Sequence, residues 1–364
     1  MAITKIPAAG FSDAVNFRNI IINGDMSIAQ RSTSVSSISS GNTIHTCDRW
    51  KTYASSAGTW TQTQEALTSG DAYNDGFSNS LKLDCTTANG SLSSGSYLIV
   101  AQSIEAQNLQ YIKKGTSNAE QLTASFWVKS TKTGTNIVQF VSLDDTVRIC
   151  AKSYTINSSD TWEKKTITIP ADTSSTGNIS NDNGEGLRML FWVAAGTDFT
   201  SGTLATTWQD TANANRAVGQ INNADSTSNN FEITGVQLEV GSAASDFEFL
   251  PVDVNLQRCQ RYYYLVASGS GVNSTQSTAR LYDPSPLTSN LIEAGVSADN
   301  FKNPFTDDLD LYGNTGGSLS STQYTIPIRN ADGIFLDDSD NELYVILRYK
   351  GDEAPVTSIS LRFS

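Results

Sequence analysis

Between Thr59 and Val240 apolar and polar residues alternate with a period of two over several stretches, the spacing of half-buried β-strands. In Gln121 to Ser130, Leu122, Ala124, Phe126 and Val128 share one face, while Thr123, Ser125, Trp127 and Lys129 share the other. This predicts a strand with a wet outer face carrying one tryptophan. Gly186 to Ala195 is apolar on both faces, Leu187, Met189, Phe191 and Val193 against Leu190, Trp192 and Ala194, which predicts a central strand covered on both sides. Thr166 to Ile169, after Trp162, alternates again and stops at Pro170. In Phe231 to Val240 the phase changes: Phe231 and Ile233 are one residue out of step with Val236, Leu238 and Val240, and Gly235 stands at the change. A one-residue slip at a glycine predicts a β-bulge at or beside Gly235, which keeps both apolar sets on the core side. Nearer the start, Asn19 to Asp25 reads as a short apolar strand stopped by an Asn-Gly turn.

Long polar stretches separate these strands: Ser32 to Thr43, Thr86 to Ser96, Ala171 to Gly184 and Thr197 to Asn230, the last with a turn of helix expected near Ala212 to Gln220. Such loops are either binding sites at the ends of a rigid sandwich or tolerated surface insertions. Residues 1–17 are polar and aperiodic and read as an arm, docked on a neighbour or frayed. After Pro251 the pattern changes. Asp253 suits the cap of a short helix with Leu256, Cys259, Tyr263 and Val266 on one stripe, although Tyr262 to Val266 also suits a strand. Short alternating runs follow at Gln323 to Ile328, Glu342 to Tyr349 and Thr357 to Phe363. The expected architecture is all-β: an arm at 1–17, a jelly-roll-like β-sandwich at 18–250, a linker or short helix at 251–265 and a smaller β domain at 266–364.

Composition narrows the function classes. With 364 residues the chain has room for two cores. Abundant Ser, Thr, Asn, Gly and Asp with only 17% charged residues suit short strands and polar turns. The net charge of -13, with no basic stripe, argues against nucleic acid. No apolar run approaches the roughly 20 residues that span a bilayer, so no membrane insertion is expected. The polar start lacks the apolar core of a signal peptide. Cys47, Cys85, Cys150 and Cys259 are scattered without a CxxC pair and are expected to be buried free thiols rather than zinc ligands or disulfides.

Four blocks carry a family resemblance: RNIIINGDMSIAQRSTS at Arg18 to Ser34, CDRW at Cys47 to Trp50, LTASFWVKSTKTGT at Leu122 to Thr135, and FEITGVQLEVGSAASDFEFLPVDVNLQRCQRYYY at Phe231 to Tyr264. In this order they resemble tail fibres and minor structural proteins of tailed bacteriophages, marine podovirus-like ones among them. The family carries a jelly roll similar to carbohydrate-binding modules. The resemblance implies a virion protein assembled in the host cytoplasm, most simply a homotrimeric fibre that recognises host cell-surface polysaccharide and meets other tail or virion proteins through its arm. It also admits an adaptor, decoration or capsid-fibre protein that never touches the host. A polysaccharide depolymerase, or a carbohydrate-binding module attached to one, is the competing class. No parallel β-helix repeat and no paired carboxylates speak for that class.

The candidate residues follow from the sugar-binding expectation. Trp60, Trp127, Trp208, Tyr282 and Tyr312 lie in polar or turn-rich surroundings and are read as exposed aromatics for stacking on sugar rings, whereas Trp50 and Trp192 are read as core. The acidic clusters Asp307-Asp308-Asp310 and Asp337-Asp338-Asp340-Glu342 offer oxygen ligands, with Asp307, Asp310, Asp338 and Asp340 as weak calcium candidates lacking EF-hand spacing. His45, the single histidine, lies two residues from Cys47, but no third group completes a nucleophilic triad. No catalytic residue and no cofactor are expected.

Overall fold

The computed structural model describes residues 17–263 and six short strands beyond them. Backbone proximity divides the chain into two compact units, Met1–Cys259 and Gln260–Ser364. The first is an antiparallel sandwich of β1 (Ser34–Thr43), β2 (Trp50–Ala66), β3 (Asn79–Thr87), β4 (Tyr97–Glu105), β5 (Leu122–Ser130), β6 (Gly134–Ser142), β7 (Arg148–Ile156), β8 (Glu163–Ile169), β9 (Glu185–Ala195), β10 (Gln209–Asp210) and β11 (Asn230–Val240). The hydrogen-bonded order is β10-β7-β6-β9-β4-β2-β3-β11-β5-β8, with β1 paired to β2. The 17-residue β2 turns the sheet back on itself: Trp50–Ser55 pairs with β4 and Thr59–Ala66 pairs with β3. Ser56 (φ 51°) and Gly58 (φ 77°) make the corner, and a side chain on Gly58 would press against the Thr87 carbonyl 2.5 Å away. The result is two facing layers, β10-β7-β6-β9-β4 and β3-β11-β5-β8, joined through β2.

The core fills the space between them. Phe126 of β5 meets Tyr154 of β7 edge to face at 5.1 Å and Phe191 of β9 at 4.9 Å, so aromatic contacts bridge the layers. Leu122, Ala124, Phe126 and Val128 are all buried, as the alternation predicts. β9 is central, between β6 and β4, and its second apolar face is covered as well. The cover is the stretch 197–224. Phe199, Leu204, Ala205 and Ala217 pack over Leu190 and Trp192, held by bonds such as Ala151 N–H to Ala205 O and Asn223 N–H to Val193 O. This loop is a third layer over the sheet, with a 3-10 turn at Asn213–Asn215.

The bulge is present. Thr234 pairs with Trp127 and Gln237 with Ser125, so β11 carries one extra residue, and Gly235 has φ 59°. Phe231, Ile233, Val236 and Leu238 all reach the core in consequence. A methyl group on Gly235 would lie 2.6 Å from the Phe77 ring.

Three expectations are corrected. Asn19–Asp25 is no strand, because Ile20, Ile21 and Ile22 are buried in succession and cannot alternate between faces. Side chains replace the ladder: Asn19 Oδ1 accepts from Ile21 and Leu238 N–H, and the Gln102 amide both accepts from Ile22 N–H and donates to Ile22 O at 2.8 Å. Ser32–Thr43 is largely strand rather than loop. β1 has little apolar signal because Ile38 alone among its residues is buried, and its place is set by backbone pairing with β2. The outer face of β5 is covered, with Thr123 and Ser125 buried and Trp127 half-buried.

The helix runs Val252–Gln260 and buries Asn255 and Cys259; Asp253 lies in its first turn rather than at a cap, Tyr263 lies past its end, and residues 264–266 lie outside the described residues. The second unit contains β12 (Ser277–Tyr282) paired with β13 (Leu291–Val296), β14 (Tyr312–Gly313) with β15 (Thr322–Gln323), and β16 (Thr325–Pro327) with β17 (Tyr344–Ile346). Of the arm at 1–17 only Phe17 is described, its N–H donating to Glu248 Oε1; residues 1–16 and the run Thr357 to Phe363 lie outside the described residues.

Candidate functional site

The aromatic candidates fare differently. Trp60 is fully buried: it follows the β2 corner, its side chain falls on the core side, and its indole N–H donates to Ala57 O at 2.7 Å. It is therefore a core residue and not a sugar platform. Trp127 is half-buried, packs beside Leu67, Phe77 and Trp162, and donates to Asp75 Oδ2 at 3.1 Å, with Lys164 Nζ 5.9 Å from its ring. Trp208 is half-buried against the core and donates to Pro170 O, and Lys114 Nζ stands 4.4 Å from its ring. No ring contact joins Trp127 to Trp208 among the described residues. Tyr282 ends β12 and Tyr312 begins β14. Asp307, Asp310, Asp338 and Asp340 lie outside the described residues.

Buried ionisable groups in the sandwich are committed to structure. Lys114 Nζ bonds Asp172 Oδ2 at 2.6 Å and Gly177 O at 3.0 Å, and Arg148 forks onto both Asp172 oxygens at 2.9 and 3.2 Å. Burial opposes the Asp172 charge, but these bonds outweigh it and hold the carboxyl below its ordinary value. Burial pushes the Asp48 carboxyl up despite its bonds to Gln30 and Arg31. Glu232 sits between Lys129 (3.1 Å) and Ser80 (3.1 Å), and Glu239 is held by Ser245. The four cysteines are free and buried, and burial raises Cys47 to about 12 and Cys150 to about 11. Such thiols are poor nucleophiles. His45, half-buried, is pushed down by burial.

A group that sequence reading passed over stands on the outer face of the first layer. Tyr53 of β2 is opposite Ile99 of β4, and Ile99 is opposite Trp192 of β9, so the three form one row across the sheet. Arg188, on the same face, places its guanidinium carbon 5.4 Å from the Tyr53 ring centre, and Lys51 Nζ lies 5.0 Å from it. Farther along the row Trp192 meets Phe199 at 5.2 Å, Tyr97 meets Phe199 edge to face at 5.8 Å, and Arg216 covers the Trp192 ring at 5.3 Å. Tyr53, Tyr97, Lys51, Arg188 and Arg216 are all half-buried. Burial raises the Tyr53 phenol, so the hydroxyl stays protonated, and it has no hydrogen-bond partner among the described residues. Burial works against the Arg188 charge, but hydrogen bonds and charge from Glu185, whose Oε1 lies 2.6 Å from Nε, keep its pKa raised. Burial, then the neighbouring Arg188, lower that of Arg216.

The geometry offers a flat phenol ring, an uncommitted hydroxyl and planar guanidinium donors on a rigid sheet. That is the chemistry for stacking a sugar ring and bonding its hydroxyls. The signal in the sequence is the alternation Lys51, Tyr53, Ser55 against Thr52, Ala54 beside the CDRW block.

No protein-family model and no curated protein sequence matches the chain. Among solved structures it is similar to the enzymatically active domain of tailspike protein 4 of bacteriophage CBA120, with 14% identity over 62% of this chain and 22% of that one and a TM-score of 0.30. It is also similar to a family 11 carbohydrate-binding module of a Clostridium thermocellum cellulosomal cellulase, with 12% identity over 57% of this chain and 98% of that one, TM-score 0.27. A xylan-binding domain from Paenibacillus barcinonensis is 13% identical over 58% of this chain and 95% of that one, TM-score 0.23.

Proposed function

We propose that the sandwich is a non-catalytic glycan-recognition unit of a virion appendage and that a sugar chain lies along the outer face of the first layer, one ring on Tyr53. The observation that carries this reading is the half-buried Tyr53 ring flanked at 5.0 and 5.4 Å by Lys51 and Arg188 on a sheet face. The commitment of Asp48, Asp172, Glu232 and Glu239 to structural bonds supports recognition rather than hydrolysis. The four sequence blocks support the virion setting, with host polysaccharide as ligand, the arm joining other tail proteins and a homotrimeric state.

Affinity electrophoresis through gels containing a panel of bacterial surface and plant polysaccharides tests the site. Retardation in at least one gel is expected, lost in Tyr53→Ala and kept in Lys164→Ala, without release of reducing ends. Retardation that survives Tyr53→Ala contradicts the assignment. Light scattering tests the assembly: three times the chain mass is expected, and a monomer at every concentration contradicts the fibre reading. Loss of the trimer on calcium chelation would bring the acidic runs of the second unit into its assembly.

A further inference from the structure

Charge on the Tyr53 face runs against the charge of the whole chain. Lys51, Arg188 and Arg216 gather there with Glu185 as their one ion-paired carboxylate among the described residues, a local excess of cations in a protein of net charge -13. Arg188 is taken by Glu185. Arg216 has no carboxylate within ion-pair distance among the described residues; its side-chain polar contact is Nε to Gln139 Oε1 at 3.3 Å, and its guanidinium carbon lies 5.3 Å from the Trp192 ring centre and 5.8 Å from that of Phe199. Lys51 likewise has no anionic partner among the described residues. A partly desolvated cation beside a second cation is costly unless an anion completes it. Gln139 adds a second observation. Its Oε1 accepts from both Trp192 Nε1 and Arg216 Nε, which leaves its buried Nε2 a donor without a partner in the same cluster.

Resting on the glycan reading above, we propose that the ligand of this face is an acidic polysaccharide, a sugar polymer bearing carboxylate or sulfate groups. Arg216 and Lys51 receive the acidic group while a sugar ring lies on Tyr53. Arginine suits this task because its planar donors match two oxygens of one acidic group at once. The chain's net negative charge offers polyanions no attractive steering, and charges farther than about a Debye length, roughly 8 Å at physiological salt, are largely screened, so capture depends on the local cations.

The test uses the full-length protein and polymers that differ in charge on one backbone: polygalacturonate against its fully methyl-esterified form, and dextran sulfate against dextran, with a DNA duplex as a non-sugar polyanion. Binding is read by affinity electrophoresis and calorimetry. The expected result is binding to at least one charged member, at least roughly tenfold weaker binding to its neutral counterpart, and a loss of about tenfold or more in Arg216→Gln. Lys51→Gln, on a half-exposed residue, is expected to weaken binding in the same direction, and Lys164→Gln to leave it unchanged. Preference for polygalacturonate identifies a carboxylate ligand, and preference for dextran sulfate a sulfate ligand. Equal binding of charged and neutral members, abolished by Tyr53→Ala but indifferent to both charge variants, overturns this inference and leaves the glycan reading standing. Equal binding of DNA and acidic sugars also overturns it. Failure of a correctly folded protein to bind any member, charged or neutral, overturns both.

Discussion

At Gly235 a backbone requirement and a packing requirement coincide: φ is 59°, and the space a methyl group would need is held by the Phe77 ring. Gly235→Ala is expected to destabilise the sandwich by about 2–4 kcal/mol, combining left-handed strain with overpacking, and urea unfolding measures it. The reverse holds at Tyr154, whose hydroxyl is buried in the core with no partner among the described residues. Removing an unsatisfied hydroxyl while keeping the ring that packs on Phe126 makes Tyr154→Phe neutral or stabilising by up to about 1–2 kcal/mol in the same assay. A loss of stability there would show that the hydroxyl is bonded in solution. The bulge was legible because one glycine interrupts a strong alternation. The burial of Trp60 was not, because its neighbours Thr59 and Thr61 are polar and the corner that turns the side chain inward is made by Ser56 and Gly58 upstream.

Among elements, the polar connectors were the least legible, since their positions depend on partners far away in sequence. The stretch 17–31 is anchored on the exit of β11 and the helix beyond. Glu248 accepts from Phe17 and Asn19 N–H, Gly24 O accepts from Val236 N–H, and Asn255 donates to Asp25 Oδ1 and Ser27 Oγ. Trp50 of the CDRW block donates to Asn23 O, and Asn23 Nδ2 donates to Ile28 O and Asp48 O. With β5 paired to β11, all four blocks that carry the family resemblance are thus linked by hydrogen bonds, which gives them a structural reason to occur together. The Lys114–Asp172–Arg148 network similarly ties the stretches around Lys114 and Gly177 to β7 and, through Asp210, to β10. Removing one member of a buried ionic group leaves the others uncompensated, so Asp172→Ala is expected to cost about 3–5 kcal/mol. A carboxylate held below its ordinary value contributes stability above that value, about 4, and loses it as pH falls through the lowered folded-state pKa. Urea titrations should show the wild type losing this contribution in that acid range, while Asp172→Asn, weaker at pH 7, lacks that part of the acid dependence.

The whole sandwich is a rigid support that leaves one aromatic and cationic face half open. Its layers, its central β9 and its all-β class were readable from periodicity, because burial on one or two faces writes itself into alternate residues. The Tyr53 face was not, because its members come from β2, β4, β9 and the stretch after β9, and only the strand order brings them into one row. Hydrogen–deuterium exchange of the full chain, with and without a polysaccharide that it retains, tests the central claim most directly. Protection is predicted in peptides covering 50–55, 97–103 and 185–192, together with 213–217. Protection confined to the Trp127 side of β5, or to residues after 260, would contradict it and move the binding site elsewhere.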